Sequence, residues 1–224
     1  MLSFETDYRK LRLQNITSPQ FSHLLLLLFW PLWGLLFSWL EGRDEIDYAV
    51  VECGLDEIIP FCEFFVIPYL FWFVFLFGML VYGLFFDVES FRKMMTFIIL
   101  TYLATAVIYI FWPTQQLLRP TAFARDNIFT RFMARFYAFD TNTNVCPSLH
   151  VIGSMAGMFA GWHSKAFGTK GWRIAFAVTA VLICLSTVFL KQHSAVDTPP
   201  ALVISFAAYY LIYKKNKAPA RAQA

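Results

Sequence analysis

Residues 64–86, FFVIPYLFWFVFLFGMLVYGLFF, carry no charged side chain over 23 consecutive positions. As an α-helix this run extends ~35 Å, which is enough to cross the ~30 Å hydrocarbon core of a bilayer. Further apolar runs lie around it, at 21–40, 94–112, 147–162, 172–190 and 194–213, and the fourth and sixth runs are weaker because each has polar residues at one end. We therefore predict an all-α membrane protein, a bundle of six transmembrane helices forming a single domain over 1–224.

The composition agrees with an apolar environment. Hydrophobic residues make up 58% of the chain and charged residues only 15%, whereas roughly a quarter of a soluble domain is charged. The 26 Phe and 7 Trp residues suit lipid-facing walls and interfacial belts. We expect no nucleic-acid partner, because the positive charges are scattered through short loops.

The charges also predict how the helices are oriented. Of the 18 Lys and Arg residues, 12 lie in four segments that hold only 4 of the 15 acids: 1–20, 87–93, 163–173 and 214–224. The loop 41–63 has one cation and eight acids. Because cytoplasmic loops are enriched in Lys and Arg, we expect both termini in the cytoplasm and this loop outside. Cys53 and Cys62 in the loop could form a disulfide or remain free thiols.

A second group of cations lies on the side that positive charge usually avoids. These residues precede the fourth and sixth runs: Arg119, Arg125, Arg131, Arg135 and Lys191. One interpretation is that they attract an anionic substrate. The other is that they pair with lipid phosphates or with acidic loop residues.

An amphipathic segment lies before the fourth run. In 123–139, FARDNIFTRFMARFYAF, apolar side chains recur at i, i+3, i+4 and i+7: Phe129, Phe132, Met133 and Phe136. This spacing predicts a helix in the membrane interface. The helix could guide a lipid toward a site at this surface or simply pack against the bundle.

The fourth run opens with the motif Cys146-Pro147-Ser148-Leu149-His150. Pro147 suits the first position of a helix, where its missing N–H costs nothing. The amides of Ser148 and Leu149 would then be unpaired, and a helix N-terminus of this kind binds phosphate. We expect His150 to lie beside any anion held there.

The sixth run opens with Lys191-Gln192-His193-Ser194-Ala195-Val196-Asp197. In a helix, His193 and Asp197 share one face, so the carboxylate can accept from one imidazole nitrogen and leave the other nucleophilic. Because Pro199 and Pro200 would interrupt a helix, this turn could instead be a short helix of its own.

The predicted topology brings the two motifs to one side of the membrane. One span down and one span back separate His150 from His193, and Arg119 reaches the same side. By contrast, His23 and His163 stand at span ends without such neighbours, and we expect them to be interfacial residues.

Three elements together carry a family resemblance: Arg119-Pro120, Pro147-Ser148-Leu149-His150 and His193-x-x-x-Asp197. Their order and spacing resemble the signature motifs of the type 2 phosphatidic acid phosphatase superfamily. The resemblance covers about 90–213, with the motifs inside 112–197. It implies a six-helix bundle with an active site at the extracytoplasmic surface that needs no metal and no cofactor.

The resemblance also implies a role for each motif residue. His193 would attack phosphorus and form a phosphohistidine, and Asp197 would orient it. His150 would protonate the leaving oxygen and then activate the incoming nucleophile. The phosphate oxygens would be held by Arg119 and Ser148.

Two positions depart from the family pattern. The Lys of the first motif is replaced by Trp112, and the Arg of the third by Thr187. Lys191 could substitute for one lost cation in binding phosphate. Fewer cations suit a phosphodiester better than a monoester dianion, which places the sequence closer to the branch that resembles inositol phosphorylceramide and sphingomyelin synthases.

The expected function is hydrolysis of a lipid-linked phosphate ester. Transfer of the phospho-head group to a lipid or sugar hydroxyl is the alternative, since the two reactions differ only in what attacks the phosphohistidine. A transporter or an inactive scaffold would explain the polar helix starts without chemistry. The sequence leaves the lipid and the oligomeric state open.

Overall fold

The computed structural model describes residues 4–43 and 46–215. Within these ranges the chain forms eight α-helices: α1 (Phe29–Glu41), α2 (Gly54–Ile58), α3 (Val66–Phe86), α4 (Val88–Phe111), α5 (Ile128–Phe139), α6 (Leu149–His163), α7 (Lys170–Phe189) and α8 (Thr198–Tyr209). Short 3₁₀ segments and one π-helical segment accompany them: Tyr8–Lys10, Leu13–Asn15, Ser22–Leu28, Glu63–Phe65, Ala195–Asp197 and Tyr210–Lys214. Two strands, β1 (Ala49–Val50) and β2 (Thr114–Gln115), pair in parallel.

Five of the described helical stretches are long and apolar enough to cross a membrane: Ser22–Glu41, Glu63–Phe86, Val88–Phe111, Lys170–Phe189 and Ala195–Lys214. The prediction of an all-α fold with membrane-spanning helices is therefore confirmed. The sixth predicted helix, α6, has 15 residues and rises only ~22 Å. It is too short to count among the five by length.

Helix α6 is nevertheless the centre of the bundle, packed against α3, α4, α7 and α8. Every residue in 151–161 is buried. Small residues permit this close approach. A Cβ atom added to Gly153 would lie 2.8 Å from Trp72, one added to Gly157 would lie 2.7 Å from Phe75, and Gly161 is similarly close to Phe176.

The helix boundaries differ from the apolar runs where charge and proline intervene. Helix α4 begins at Val88, six residues before the predicted run, because Asp87 caps it by accepting from the Ser90 amide and because Lys93 pairs with Glu89 one turn away. A search for apolar runs does not detect a charged first turn of this kind. Before α8, Ala195–Asp197 forms the separate short helix that the prolines made possible.

The amphipathic stripe of α5 packs against the bundle. Met133 is fully buried, in a cluster with Val66, Tyr69 and Leu190. Phe129, Phe132 and Phe136 pack around that cluster. Of the two roles considered for this segment, packing on the bundle is the one seen.

Candidate active site

His150 and His193 face each other at one end of the bundle. Their ring centroids are 5.6 Å apart, and the rings are nearly perpendicular. His150 lies in the first turn of α6, while His193 lies in the turn between α7 and α8. The His193 turn is held in place by the Thr187 carbonyl, which accepts from the amides of Gln192 and His193 at 2.9 and 3.1 Å.

Asp197 orients His193. Its Oδ2 lies 2.9 Å from Nδ1 of His193 and also accepts from the Ser194 amide at 3.1 Å. The Asp197 side chain is fully buried, so the carboxylate fixes the ring without competing contact with solvent. This leaves Nε2 of His193 as the nitrogen free to react. The Ser148 amide donates to the Asp197 carbonyl oxygen at 3.2 Å and so links the two motifs.

His150 is enclosed by aromatic rings. Tyr69 stacks on it with a centroid distance of 4.7 Å, and Trp72 lies against it at 4.6 Å. Its Nε2 is buried and has no hydrogen-bond partner within the described residues. An unsatisfied buried nitrogen costs about 1–3 kcal/mol, so this atom is well suited to a polar ligand.

A small cavity of about 70 Å³ is lined by both histidines. Besides His150 and His193 it is lined by Phe37, Tyr69, Tyr109 and Asp140, and by residues of the loop that follows. The volume is enough for a few water molecules or a polar group of similar size. It opens toward a polar outer cavity of about 400 Å³, with which it shares Asp140, Thr141 and Thr143.

Asp140 is a carboxylate that the sequence motifs did not indicate. Burial raises its pKa, and the positive charges of Arg119 and of protonated His193 only partly oppose that effect. Burial therefore makes this carboxyl easier to protonate than an exposed one. The residue precedes the loop that joins α5 to α6, and no motif in the sequence singles it out.

Arg119 reaches the site but is already used in holding the surrounding loop. Its guanidinium donates to the carbonyl oxygens of Asp140 and Thr141, both at 2.7 Å, and to Oε1 of Gln192 at 2.6 Å. The ring of Tyr137 lies beneath it at 4.8 Å. Only its Nε is buried without a partner in the described chain, so any phosphate contact would fall to that atom or require an exchange of partners.

Pro147 is not the first residue of α6, and that expectation was wrong. Ser148 is the N-cap, with Oγ accepting from the Val151 amide at 3.4 Å, and the helix begins at Leu149. Tyr109 fixes the preceding turn by donating to the Pro147 carbonyl at 2.6 Å. The Ser148 amide donates to Asp197 and the Val151 amide to Ser148 Oγ, so within the described residues the amides of Leu149 and His150 are the two of this turn without an acceptor.

The structure does not bring Lys191 to the histidine pair. Its Nζ donates to the carbonyl oxygens of Asp56 and Ile59, both at 2.6 Å. The side chain therefore ties the histidine turn to the loop around α2. Thr187 and Trp112, which replace cations of the family pattern, also face away from the histidine pair. Thr187 Oγ1 donates to the Cys184 carbonyl, and Trp112 is exposed at the end of α4.

Of the remaining cations on this side, Arg125 and Arg131 pair with acids. Arg125 contacts the buried carboxylate of Glu63 at 3.0 Å, and Arg131 contacts exposed Asp126 at 2.7 Å. For these two residues, pairing with loop acids is the interpretation that the structure supports. Arg135 is exposed on α5.

His23 and His163 have partners, contrary to expectation. His23 is fully buried, and its Nε2 lies 2.8 Å from the Tyr8 hydroxyl. His163, at the far end of α6 from the site, lies 3.0 Å from the Tyr209 hydroxyl. Both histidines have structural contacts away from the pair.

Asp56 supports the site although it lies far from it in sequence. It is buried, and its carboxylate accepts from Ser194 Oγ at 2.5 Å and from the amides of Ala195 and Cys53 at 2.8 Å. Burial alone would raise the pKa of Asp56, but these hydrogen bonds outweigh it and hold the pKa below its usual value. Cys53 and Cys62, in the same loop, are free thiols.

We predict that Asp56→Ala loosens the histidine turn, because two donors around Ser194 lose a buried acceptor. The cost should be about 1–3 kcal/mol, so exchange of the Ala195 amide should rise by about tenfold. Hydrogen exchange in detergent measures this. Asp126→Ala, which removes an exposed acid on the same side, is the control. Unchanged protection of Ala195 would contradict the role given to Asp56.

Comparison with protein-family models, with curated proteins and with solved structures finds no match.

Proposed function

We propose that this protein is a membrane-embedded lipid phosphatase that works through a phosphohistidine. The observation that carries the proposal is the pair of imidazoles 5.6 Å apart that line one small cavity, with Asp197 behind one of them. One ring is oriented as a nucleophile, and the other has an unsatisfied nitrogen. Nucleophile, orienting carboxylate and acid–base group are the parts that such a reaction requires.

In the first step, Nε2 of His193 attacks phosphorus. An N–P bond forms as the P–O bond to the lipid breaks, and His150 gives a proton to the leaving oxygen; the bound phosphate anion stabilises the charged form of this buried ring. In the second step, neutral His150 takes a proton from water as the water attacks phosphorus and the N–P bond breaks. Asp197 stabilises the positive charge that develops on His193 in the first step, because it accepts from Nδ1 at 2.9 Å.

Phosphate binding relies on few cations in this proposal. Nε of Arg119, the amides of Leu149 and His150, and the positive end of the α6 dipole supply the charge complement. Ser148 contributes by capping α6 and so fixing these amides. This modest positive charge suits a phosphodiester, which carries about one negative charge, better than a monoester dianion.

A transferase is the second candidate, and the outer cavity favours it. That cavity of about 400 Å³ adjoins the small cavity that the histidines line, and its own walls include Arg43, Tyr48, Asn142 and Thr143. Hydroxyl and amide groups of this kind can position an alcohol. If an alcohol instead of water attacks the phosphohistidine, the same residues transfer the phosphoryl group.

We further propose that α6 completes a sixth crossing. Non-helical backbone is tolerated at membrane depth where it is buried in protein or lines a cavity, and the segment leading into α6 is both. Asn144, Val145 and Cys146 are buried, with the amides of Val145 and Cys146 donating to Thr114 Oγ1. The charge distribution supports an orientation with both termini in the cytoplasm and with the site and α5 at the opposite interface.

Product analysis tests the proposal. Purified protein in lipid nanodiscs is given a panel of lipid phosphates, with and without a hydroxyl acceptor. We expect release of inorganic or head-group phosphate from at least one long-chain substrate. A phosphorylated acceptor without release would select the transferase. Transport of the substrate across proteoliposomes with no change in its phosphate ester would refute both reactions.

A further inference from the structure

An apolar groove of about 760 Å³ runs along the outside of the bundle between α3 and the helical stretch Ser22–Glu41, which ends in α1 and is called the first helix below. It exists because α1 packs against α4 and not closely against α3. Its walls are hydrophobic side chains, with Leu27 and Trp30 on one side and Trp72, Phe77 and Leu84 on the other.

The groove follows most of the length of α3. Trp72 and Leu84 mark its extent, six residues from one end of the helix and two from the other. Twelve residues of helix rise ~18 Å, which is more than half of a ~30 Å hydrocarbon core. An alkyl chain whose head group lies at the histidines would therefore extend along the groove toward the opposite end of α3.

The groove and the histidine cavity lie between the same two helices. Phe37 of α1 and Tyr69 of α3 line the histidine cavity, and Trp30 and Trp72 line the groove beyond them. Trp72 links the two, because its ring lines the groove and lies 4.6 Å from the ring of His150, which lines the cavity. The polar histidine cavity and the apolar groove thus follow one another along these two helices.

We infer that this groove holds an alkyl chain of the lipid whose phosphate reaches His150 and His193. The inference rests on the proposed function, and it adds the place where the alkyl chain of the substrate binds: a groove that is open to the bilayer, so that the lipid enters sideways. Trp72 marks the junction between the chain and the polar head. The first helix, outside the stretch that carries the family resemblance, then forms half of the substrate site.

A second apolar groove, of about 510 Å³, lies between α7 and α8. It approaches the site through Ala195 and Thr198. These residues flank Asp197, which lies behind His193 and is fully buried. The second groove therefore ends behind the nucleophile, whereas the first ends at the ring of His150.

Photolabelling tests the assignment without requiring turnover. A trace of long-chain phosphatidic acid with a diazirine in mid-chain is irradiated with the protein in nanodiscs, with and without excess unlabelled phosphatidic acid. Bulk lipid contacts are not saturable, so only competed labels count. We expect competed labels on the first helix and on 72–84, both in the native chain and in His193→Ala.

Two matched variants sharpen the test. Val74 lies in the groove and Val178 lies on α7 outside both grooves, and the two side chains are 62% and 52% exposed. Val74→Trp should fill the groove and lower competed labelling by about tenfold, and Val178→Trp should leave it unchanged. Equal effects of the two variants, or competed labels confined to α7 and α8, would overturn the inference.

The two proposals fail separately. Competed labelling of the α1–α3 groove in a protein that turns over no phosphate ester would retain the lipid site and remove the enzyme. Phosphate release with labels elsewhere would retain the enzyme and remove the groove.

Discussion

Replacing His193 with alanine should lower turnover by about 10⁵-fold, because the reaction loses its nucleophile and the remaining groups can only bind and polarise the ester. With a ³²P-labelled substrate and acid-free quenching, the native protein should carry label on His193 and the variant should carry none. The ring of His193 is 8% exposed, so its loss leaves a small polar gap and should not unfold the bundle.

His163→Ala is the matched control. This residue stands at the opposite end of α6 and lies against Tyr209, so its removal should leave turnover and labelling near the native level. Native-like turnover by His193→Ala would refute the mechanism. Retained label in that variant would assign the covalent step to another residue.

Replacing His150 with glutamine should lower hydrolysis of an alkyl phosphate ester by about 10²–10⁴-fold, the contribution expected of a general acid–base group. The leaving group separates its two roles. An alkyl-substituted nitrophenyl phosphate needs no proton on its leaving oxygen, so the first step should remain fast and only the second should slow. The phosphohistidine should then accumulate.

Intact-protein mass spectrometry measures that accumulation. His150→Gln treated with the nitrophenyl ester should gain one phosphoryl group per chain, and His150→Gln/His193→Ala should gain none. If the single variant hydrolyses both esters at the native rate, His150 has no part in proton transfer. Its contacts with Tyr69 and Trp72 would then be its whole role.

The helices could be predicted from the sequence because a helix that crosses the bilayer requires a long run of apolar residues. Residues 64–86 alone indicate a membrane helix, and the structure has α3 at Val66–Phe86. The i, i+4 spacing of His193 and Asp197 likewise anticipated their contact, although they meet through a 3₁₀ turn and not a regular α-helix.

The supporting contacts could not be predicted, because they join distant parts of the chain. Asp56 meets Ser194 across 138 residues, and Lys191 turns toward the Asp56 carbonyl instead of the site. Both residues lay in segments that charge counting treated as loop. Hydrogen-bonding partners in loops depend on which helices pack together, and hydropathy carries no information about that choice.

The shortness of α6 sets how far the reacting atoms are recessed. His150 contacts Tyr69 and Trp72, three and six residues into α3, so it lies ~5–9 Å below the end of that neighbouring helix. The histidines are thus recessed below the end of α3 and do not lie at the surface of the bundle. Any molecule that reaches the two rings must fit a cavity of about 70 Å³. In the proposed mechanism, the size of this cavity would limit which acceptor, water or alcohol, can attack the phosphohistidine.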